Sequence, residues 1–203
     1  MTTEHINHGD IVRFADEQVN LKREYAQKYR EQVNRLREKL EEHIKNNPDT
    51  QLRRMLLSGS LAKGTSLKRL NDIDVALYVK QDNPPEDMPE FIAWLVDTLR
   101  NLYPNMDPSQ ITPQQYSVCI SFRGSGLDVD VVPISYNGNE QWDGYLYSAS
   151  TGNWLMTNID KHIKFIRKRK ENNPTHYVQI IRLVKYWVKK SRKIMIILSL
   201  SLS

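Results

Sequence analysis

Residues 57–79 read LSGSLAKGTSLKRLNDIDVALYV, and the rest of the chain makes sense around this stretch. It has the pattern strand, tight turn, short basic connection, strand. Leu56, Leu57 and Ser58 end a short apolar run, and Gly59-Ser60 follow as a turn suited to a strand-to-helix junction. Such a turn leaves backbone N–H groups free to hold a phosphate chain. About a dozen residues later, Asp72-Ile73-Asp74-Val75-Ala76-Leu77-Tyr78-Val79 is β-branched and alternating, which predicts a strand. Residues two apart on a strand share a face. Asp72 and Asp74 therefore project together, while Ile73 and Val75 enter the core. Paired carboxylates repel unless a cation lies between them. Mg²⁺ with a bound triphosphate fits, because it takes hard oxygen ligands from one or two carboxylates and from phosphates. A bare D-x-D is otherwise a solvated strand end. The Gly59-Ser60 turn, with Gly64-Thr65 after it, shifts the reading toward phosphate chemistry.

A third carboxylate is expected from a neighbouring strand, and 126–134 (GLDVDVVPI) supplies it. Asp128 and Asp130 again share one face, and side-chain parity alone does not separate them. Three carboxylates on two adjacent strands suit a pair of divalent ions and in-line displacement at phosphorus.

Composition limits the alternatives. The chain has 203 residues, enough for one domain or slightly more. A lone cysteine, Cys119, lies in an apolar strand pattern, which makes it a packing residue and rules out an internal disulfide. The polar start, MTTEHINHGD, carries no secretion signal, and no apolar run reaches membrane-spanning length, so a cytoplasmic location with no membrane partner is expected. The net charge of +5 is uneven. Between Lys161 and Lys193 lie 12 of the 29 basic residues and one of the 24 acidic ones, so the remainder is net acidic. That basic segment is either a solvated face or the seat of a polyanion, nucleotide or nucleic acid.

In chain order, His8-Gly9-Asp10 is expected to cap a short helix through Phe14 and Val19. A long helix follows over 22–45, with Tyr29, Val33, Leu36, Leu40 and Ile44 on its core face. Lys63, Lys68 and Arg69 are either phosphate contacts or loop charges. Phe91, Trp94, Leu95, Thr98, Leu99 and Leu102 mark another amphipathic helix, and 105–114 reads as a surface connection. The runs 116–122 and 127–135 form a hairpin across Arg123-Gly124-Ser125-Gly126. The stretch 137–153 is polar and aromatic. Trp142, Tyr145, Tyr147 and, just beyond it, Trp154 are either base-stacking platforms or anchors buried against the core. Helices are expected over 158–170, with Ile159, Ile163 and Ile166 inward, and over 175–192. In the second, Ile180, Leu183, Val184 and Trp187 form the predicted packing face, opposite a basic face of Arg182, Lys185, Lys189 and Arg192.

The ordered set GS-x-x-x-GT, D-x-D and D-V-V-P, followed by Ile181-Arg182-Leu183-Val184-Lys185-Tyr186-Trp187, resembles the nucleotidyltransferase superfamily that holds CCA-adding enzymes, oligoadenylate synthetases and cGAS-like enzymes. The wording SGSLAKGT, LNDIDVALYV and YSVCISFRGSGLDVDVVP is closer still to bacterial cGAS/DncV-like nucleotidyltransferases (CD-NTases) of CBASS anti-phage systems, and among them to the CdnC type. The resemblance runs to about Lys193. It implies an α+β class: a DNA polymerase β-like nucleotidyltransferase fold, its mixed sheet braced by long N-terminal and spine helices.

The same resemblance implies the roles. Asp72, Asp74 and Asp130 are the catalytic, metal-holding carboxylates, Asp130 matching the family aspartate three residues before Pro133. Gly59 and Ser60 hold the triphosphate, and Lys185 meets the β- and γ-phosphates. Asp128 and Lys189 are possible additions. Mg²⁺ or Mn²⁺ is the implied cofactor. ATP or other NTPs are the substrates, and a cyclic oligonucleotide, cyclic tri-adenylate first, is the product. A HORMA-domain activator and stimulation by nucleic acid or peptide are also implied. A linear, template-independent transferase and an inactive nucleotide- or nucleic-acid-binding fragment are the alternatives. The expected organisation is a core over 1–157, basic spine helices opening a C-terminal helical domain over 158–193, and an atypical tail over 194–203. That apolar tail reads as a truncation, with the family's C-terminal helical lobe largely missing.

Overall fold

A computed structural model describes residues 6–68, 70, 72–148, 150–174 and 176–201, from 192 onward by backbone alone. In chain order the elements are α1 (His8–Phe14), a π-helical turn (Ala15–Val19), α2 (Arg23–Asn46), β1 (Leu52–Leu57), α3 (Gly59–Lys63), β2 (Asp72–Lys80) and α4 (Met88–Leu102). Then follow a 3₁₀ turn (Pro108–Gln110), β3 (Ile111–Pro113), β4 (Val118–Phe122), β5 (Leu127–Tyr136), β6 (Gly144–Ser148), β7 (Asn153–Thr157), α5 (Ile159–Asn172) and α6 (Tyr177–Ser201). All seven strands form one sheet, ordered β1-β2-β5-β4-β3, with β6 added at the far end of β5 and β7 beside β6. The β2–β5 pair is parallel and every other pairing is antiparallel, so the sheet is mixed as expected.

The alternation along the two central strands sorts their side chains. Ile73, Val75, Leu77 and Val79 of β2, with Leu127, Val129 and Val131 of β5, enter the main core. There they join Val33, Leu36 and Leu40 of α2 and Phe91, Ile92, Leu95, Val96 and Leu99 of α4. The opposite face begins with the aspartates and ends in a small second core of Ala76, Tyr78, Ile134 and Tyr136. Trp142 closes that second core. Its ring stacks on Tyr136 at 4.6 Å, and Arg54 lies over it at 5.0 Å. One strand pair thus carries chemistry on one end of a face whose other end is packed shut.

Several expectations change in detail. The N-cap of α1 is Asn7, one residue before the expected cap, in a reciprocal capping box with Asp10. Gly59-Ser60 opens a short helix, α3, which Gly64 ends in the left-handed conformation at φ 69°. The 105–114 connection contains β3, and 137–157 contains β6 and β7, strands too short and too polar for their alternation to stand out. Within that stretch the aromatics are chiefly anchors. Tyr147 and Trp154 pack on the main core, and the Trp154 indole N–H donates to the Pro85 carbonyl at 3.0 Å. Tyr145 alone of the four is exposed.

The largest correction concerns α6. Ile180, Val184 and Trp187, placed in its predicted packing face, are 57%, 54% and 67% exposed. Its contacts run instead through Gln179, Arg182, Lys185 and Tyr186. The polar residues find backbone carbonyls and Asn20 to bond, and Leu183, the fourth residue of the predicted face, is half-buried as expected. Arg192 and the tail side chains from 194 lie outside the described residues. In α5 the expectation holds for Ile163, which is buried, with Ile159 and Ile166 half-buried.

Candidate active site

The site is built where β2 and β5 start. Their parallel register sets Asp72 opposite Asp128 and Asp74 opposite Asp130, four carboxylates in two adjacent rows. The two rows differ in environment. Asp72 and Asp128 lie at the exposed strand ends, whereas Asp74 and Asp130 are half-buried one step further in. Burial first, and then repulsion from Asp72, hold the Asp74 carboxyl above the usual carboxylate range. Asp130 is raised for the same reasons, with Asp72 and Asp74 both contributing repulsion. Asp72, Asp74 and Asp130 thus feel one another's charge. Register and burial rank Asp130 ahead of Asp128, a distinction that strand parity alone left open.

The turn above them is shaped to Asp74. The Ser58 amide donates to the Asp74 carbonyl at 2.9 Å, pinning the end of β1 across β2. Gly59 then adopts φ 59°, and a Cβ placed on it would lie 1.8 Å from Asp74 Oδ2. Glycine is required here twice over, by conformation and by the carboxylate against its backbone. Ser58, the α3 N-cap, makes no side-chain capping bond, so the first-turn amides of α3 keep their donors for a ligand. The Ser60 hydroxyl lies 3.1 Å from that of Ser66, and the Thr65 amide donates to the Ser60 carbonyl at 2.9 Å. Thr65 and Ser66 are both buried.

Helix α6 clamps this turn from outside. Arg182 donates to the Gly64 carbonyl at 2.7 Å and to Asn20 Oδ1 at 3.2 Å. One turn on, Lys185 Nζ donates to the Thr65 carbonyl at 3.2 Å. Burial lowers the Lys185 ammonium from its ordinary value, Lys63 adds repulsion, and Asp74 opposes both. Lys185 therefore senses the carboxylate site and the turn together. Lys189 contributes to the same positive field. Lys68 donates to the Glu17 carbonyl, which makes it a loop tie, while Lys63 faces Asp74 electrostatically; Arg69 lies outside the described residues.

Two features escaped the sequence reading. Ser66 reinforces Ser60, although the S-L-A-K-G-T-S spacing that returns a hydroxyl six residues later was available as a signal. Gln114, one residue past β3, donates to Asp130 Oδ1 at 3.1 Å. It comes from a segment read as a surface connection, and nothing local marks it.

The donor set fits a divalent ion. All three carboxylates offer hard oxygens, two of them are desolvated against like charge, and none takes part in the salt bridges of the described residues. Among the described residues no group of three or more His, Cys, Asp or Glu side chains is placed to hold a metal ion by itself. The carboxylates form an open face, which suits an ion shared with substrate phosphates better than a resident all-protein cage.

Residues 8–170 match the model of the Second Messenger Oligonucleotide or Dinucleotide Synthetase domain. The chain is 49% identical over 189 residues to a cyclic AMP-AMP-AMP synthase of Escherichia coli strain MS 115-1, covering 93% of this chain and 59% of that protein. The structure of E. coli MS115-1 CdnC with ATP superposes with a TM-score of 0.88 at 48% identity, over 94% of this chain and 60% of that one. CdnC in complex with HORMA-deltaN gives 0.86 at 47% identity, over 95% and 59%. The chain therefore spans about three-fifths of the length of these relatives. On the family match and on its likeness to CdnC, this chain belongs to the Second Messenger Oligonucleotide or Dinucleotide Synthetase family, the CD-NTases of CBASS.

Proposed function

We propose that the chain carries the nucleotidyl-transfer site of a cyclic oligonucleotide synthase that uses ATP and makes cyclic tri-adenylate as an anti-phage second messenger. The observation that carries this reading is the register of β2 and β5, which sets Asp74 beside Asp130 directly under the Gly59 turn. Asp72, Asp74 and Asp130 would hold Mg²⁺ or Mn²⁺ together with the substrate's phosphates. Bound there, the ion would supply Lewis-acid charge at the α-phosphoryl group and favour ionisation of the attacking hydroxyl. The Gly59 amide and the Ser60 hydroxyl hold the triphosphate. Lys185 offsets charge on the β- and γ-phosphates as it moves to the leaving group. Asp130 faces the ribose hydroxyl and draws off its proton. The hydroxyl oxygen bonds to the α-phosphorus, the bond to the bridging oxygen breaks, and pyrophosphate leaves. Asp128 and Lys189 line the entrance.

The likeness to CdnC also supports a HORMA-domain partner, and the basic segment 161–193 supports a nucleic acid as a second ligand. We assign the transferase core to 1–157 and the start of a helical domain to 158–193. Among the described residues no helix is long and apolar enough to cross a membrane. The proposed site of action is the cytoplasm, where ATP is supplied.

Incubating the 203-residue chain with labelled ATP, GTP, CTP and UTP and Mg²⁺ or Mn²⁺ tests the reading. A phosphatase-resistant cyclic product from ATP, absent with Asp74→Asn, is expected. Linear product would overturn cyclisation, and product persisting in Asp74→Asn would overturn the carboxylate assignment.

A further inference from the structure

Gln114 stands just past β3, in the turn that leads into β4. Its amide donates to Asp130 Oδ1 at 3.1 Å. Its other end is held too: the hydroxyl of Ser117, a buried residue, donates to Gln114 Oε1 at 2.6 Å. The backbone repeats the clasp, with the Gln114 amide donating to the Ser117 carbonyl at 2.8 Å. A side-chain amide fixed at its oxygen has a defined direction for its N–H, so the chain Ser117–Gln114–Asp130 can aim a carboxylate. Gln114 thus fixes Asp130 Oδ1, and the thiol of Cys119, which stands opposite Asp130 in the β4–β5 pairing, is the carboxylate's other side-chain hydrogen-bond partner. Neither Asp72 nor Asp74 has a side-chain amide donor among the hydrogen bonds of the described residues.

We propose that Gln114 is the positioning residue for Asp130, holding its carboxylate in one rotamer so that Oδ2 is presented to a divalent ion shared with Asp72 and Asp74. The proposal rests on the metal-dependent reading of the site and adds the group that orients its third ligand. A partner that orients a ligating carboxylate typically changes metal affinity by about 10–100-fold when removed.

Mn²⁺ binding to the 203-residue chain, read from loss of the free-ion electron paramagnetic resonance signal, tests this without turnover. The set is wild type, Gln114→Met, Ser117→Ala and Asp130→Asn, with thermal melts of the metal-free proteins alongside. Gln114→Met keeps the side-chain length and removes the donor. About tenfold weaker binding is expected for it, a smaller loss in the same direction for Ser117→Ala, and the largest loss for Asp130→Asn. The metal-free melt of Gln114→Met should match that of wild type, separating aim from structure. If Asp130→Asn weakens binding and Gln114→Met does not, the positioning role falls and the carboxylate site stands. If wild type binds no Mn²⁺, or Asp130→Asn binds as wild type does, the metal reading fails and the proposal with it. A lower metal-free melt for Gln114→Met that tracks its binding loss would make the residue structural and overturn the proposal.

Discussion

The β2–β5 strand pair and helix α6 meet at the same turn, yet they present their side chains by different rules. On the strands, parity dictates the outcome. Ile73 and Val75 face the main core, Asp72 and Asp74 face away from it, and β5 repeats the pattern in register. On α6 Ile180, Val184 and Trp187 point away from the protein, and the cations grip it through the carbonyls of Gly64 and Thr65. A strand between two neighbours must bury one set of alternate side chains, so hydrophobicity names that set. A helix laid on a loop is different, because unpaired backbone carbonyls make donors the natural contacts.

The sharpest break in this comparison is at the turn the two regions share. In Gly59→Ala the new methyl would overlap Asp74 Oδ2, only 1.8 Å away, at a φ that L-residues avoid. Both the carboxylate and the amides above it must shift, so turnover should fall by roughly 10²-fold or more. Gly64→Ala is the matched control. Its φ is also positive, but no heavy atom lies within 4 Å of the added Cβ, so it should lose about 1 kcal/mol of stability and far less activity. Equal losses in the two, measured by product formation and thermal melts, would refute the role of Asp74 in shaping the turn.

Asp74→Asn separates function from stability within the strand pair. Activity should fall by roughly 10³-fold, while the metal-free protein should become more stable. The sign follows from the raised carboxyl. Between its unfolded and folded values the native state binds more protons, so stability falls as pH rises through that window and stays reduced above it. The asparagine variant has no such charge to strand. Its melting temperature without metal should exceed that of wild type at neutral pH, and the gap should close in acid. Asp130 is shifted in the same direction and should behave likewise. A neutral-pH melting temperature at or below that of wild type would contradict the desolvated-carboxylate account.

The same contrast explains what was legible in the sequence. Alternation around Asp72 and Asp74 gave their face, and the D-V-D segment gave their partner strand. The choice of Asp130 over Asp128 had to come from family resemblance, because only pairing register shows that 130 lies beside 74 and that both are half-buried. The long helices were readable from their stripes, for Val33, Leu36 and Leu40 recur as the buried side of α2. The short strands β3, β6 and β7 were not, because their residues are held by neighbours rather than by their own pattern. Gln114 was invisible for the same reason. Its significance lies in an acceptor sixteen residues away on another strand. For α6 the periodicity was real, but of its predicted face only Leu183 is half-buried while Ile180, Val184 and Trp187 are exposed, since an apolar stripe says only that something apolar suits it.

A pair of substitutions on α6 resolves that point. Arg182→Ala removes donors to the Gly64 carbonyl and to Asn20 and should cost about 1–3 kcal/mol in urea denaturation. Activity should fall with it, because Gly64 closes the helix that Gly59 opens. Trp187→Lys replaces the largest apolar group of the stripe with a cation. With two-thirds of that residue in water, the expected change in stability is within about 0.5 kcal/mol. Ordinary helical logic predicts the opposite ranking, with tryptophan as the anchor and arginine as a solvated charge. A tryptophan substitution costing more than the arginine one would restore that logic and mean that the stripe is covered in solution. The expected ranking would fix the polar clamp as the bond between α6 and the nucleotide turn, leaving the stripe Ile180, Val184 and Trp187 without a share in the stability of this chain.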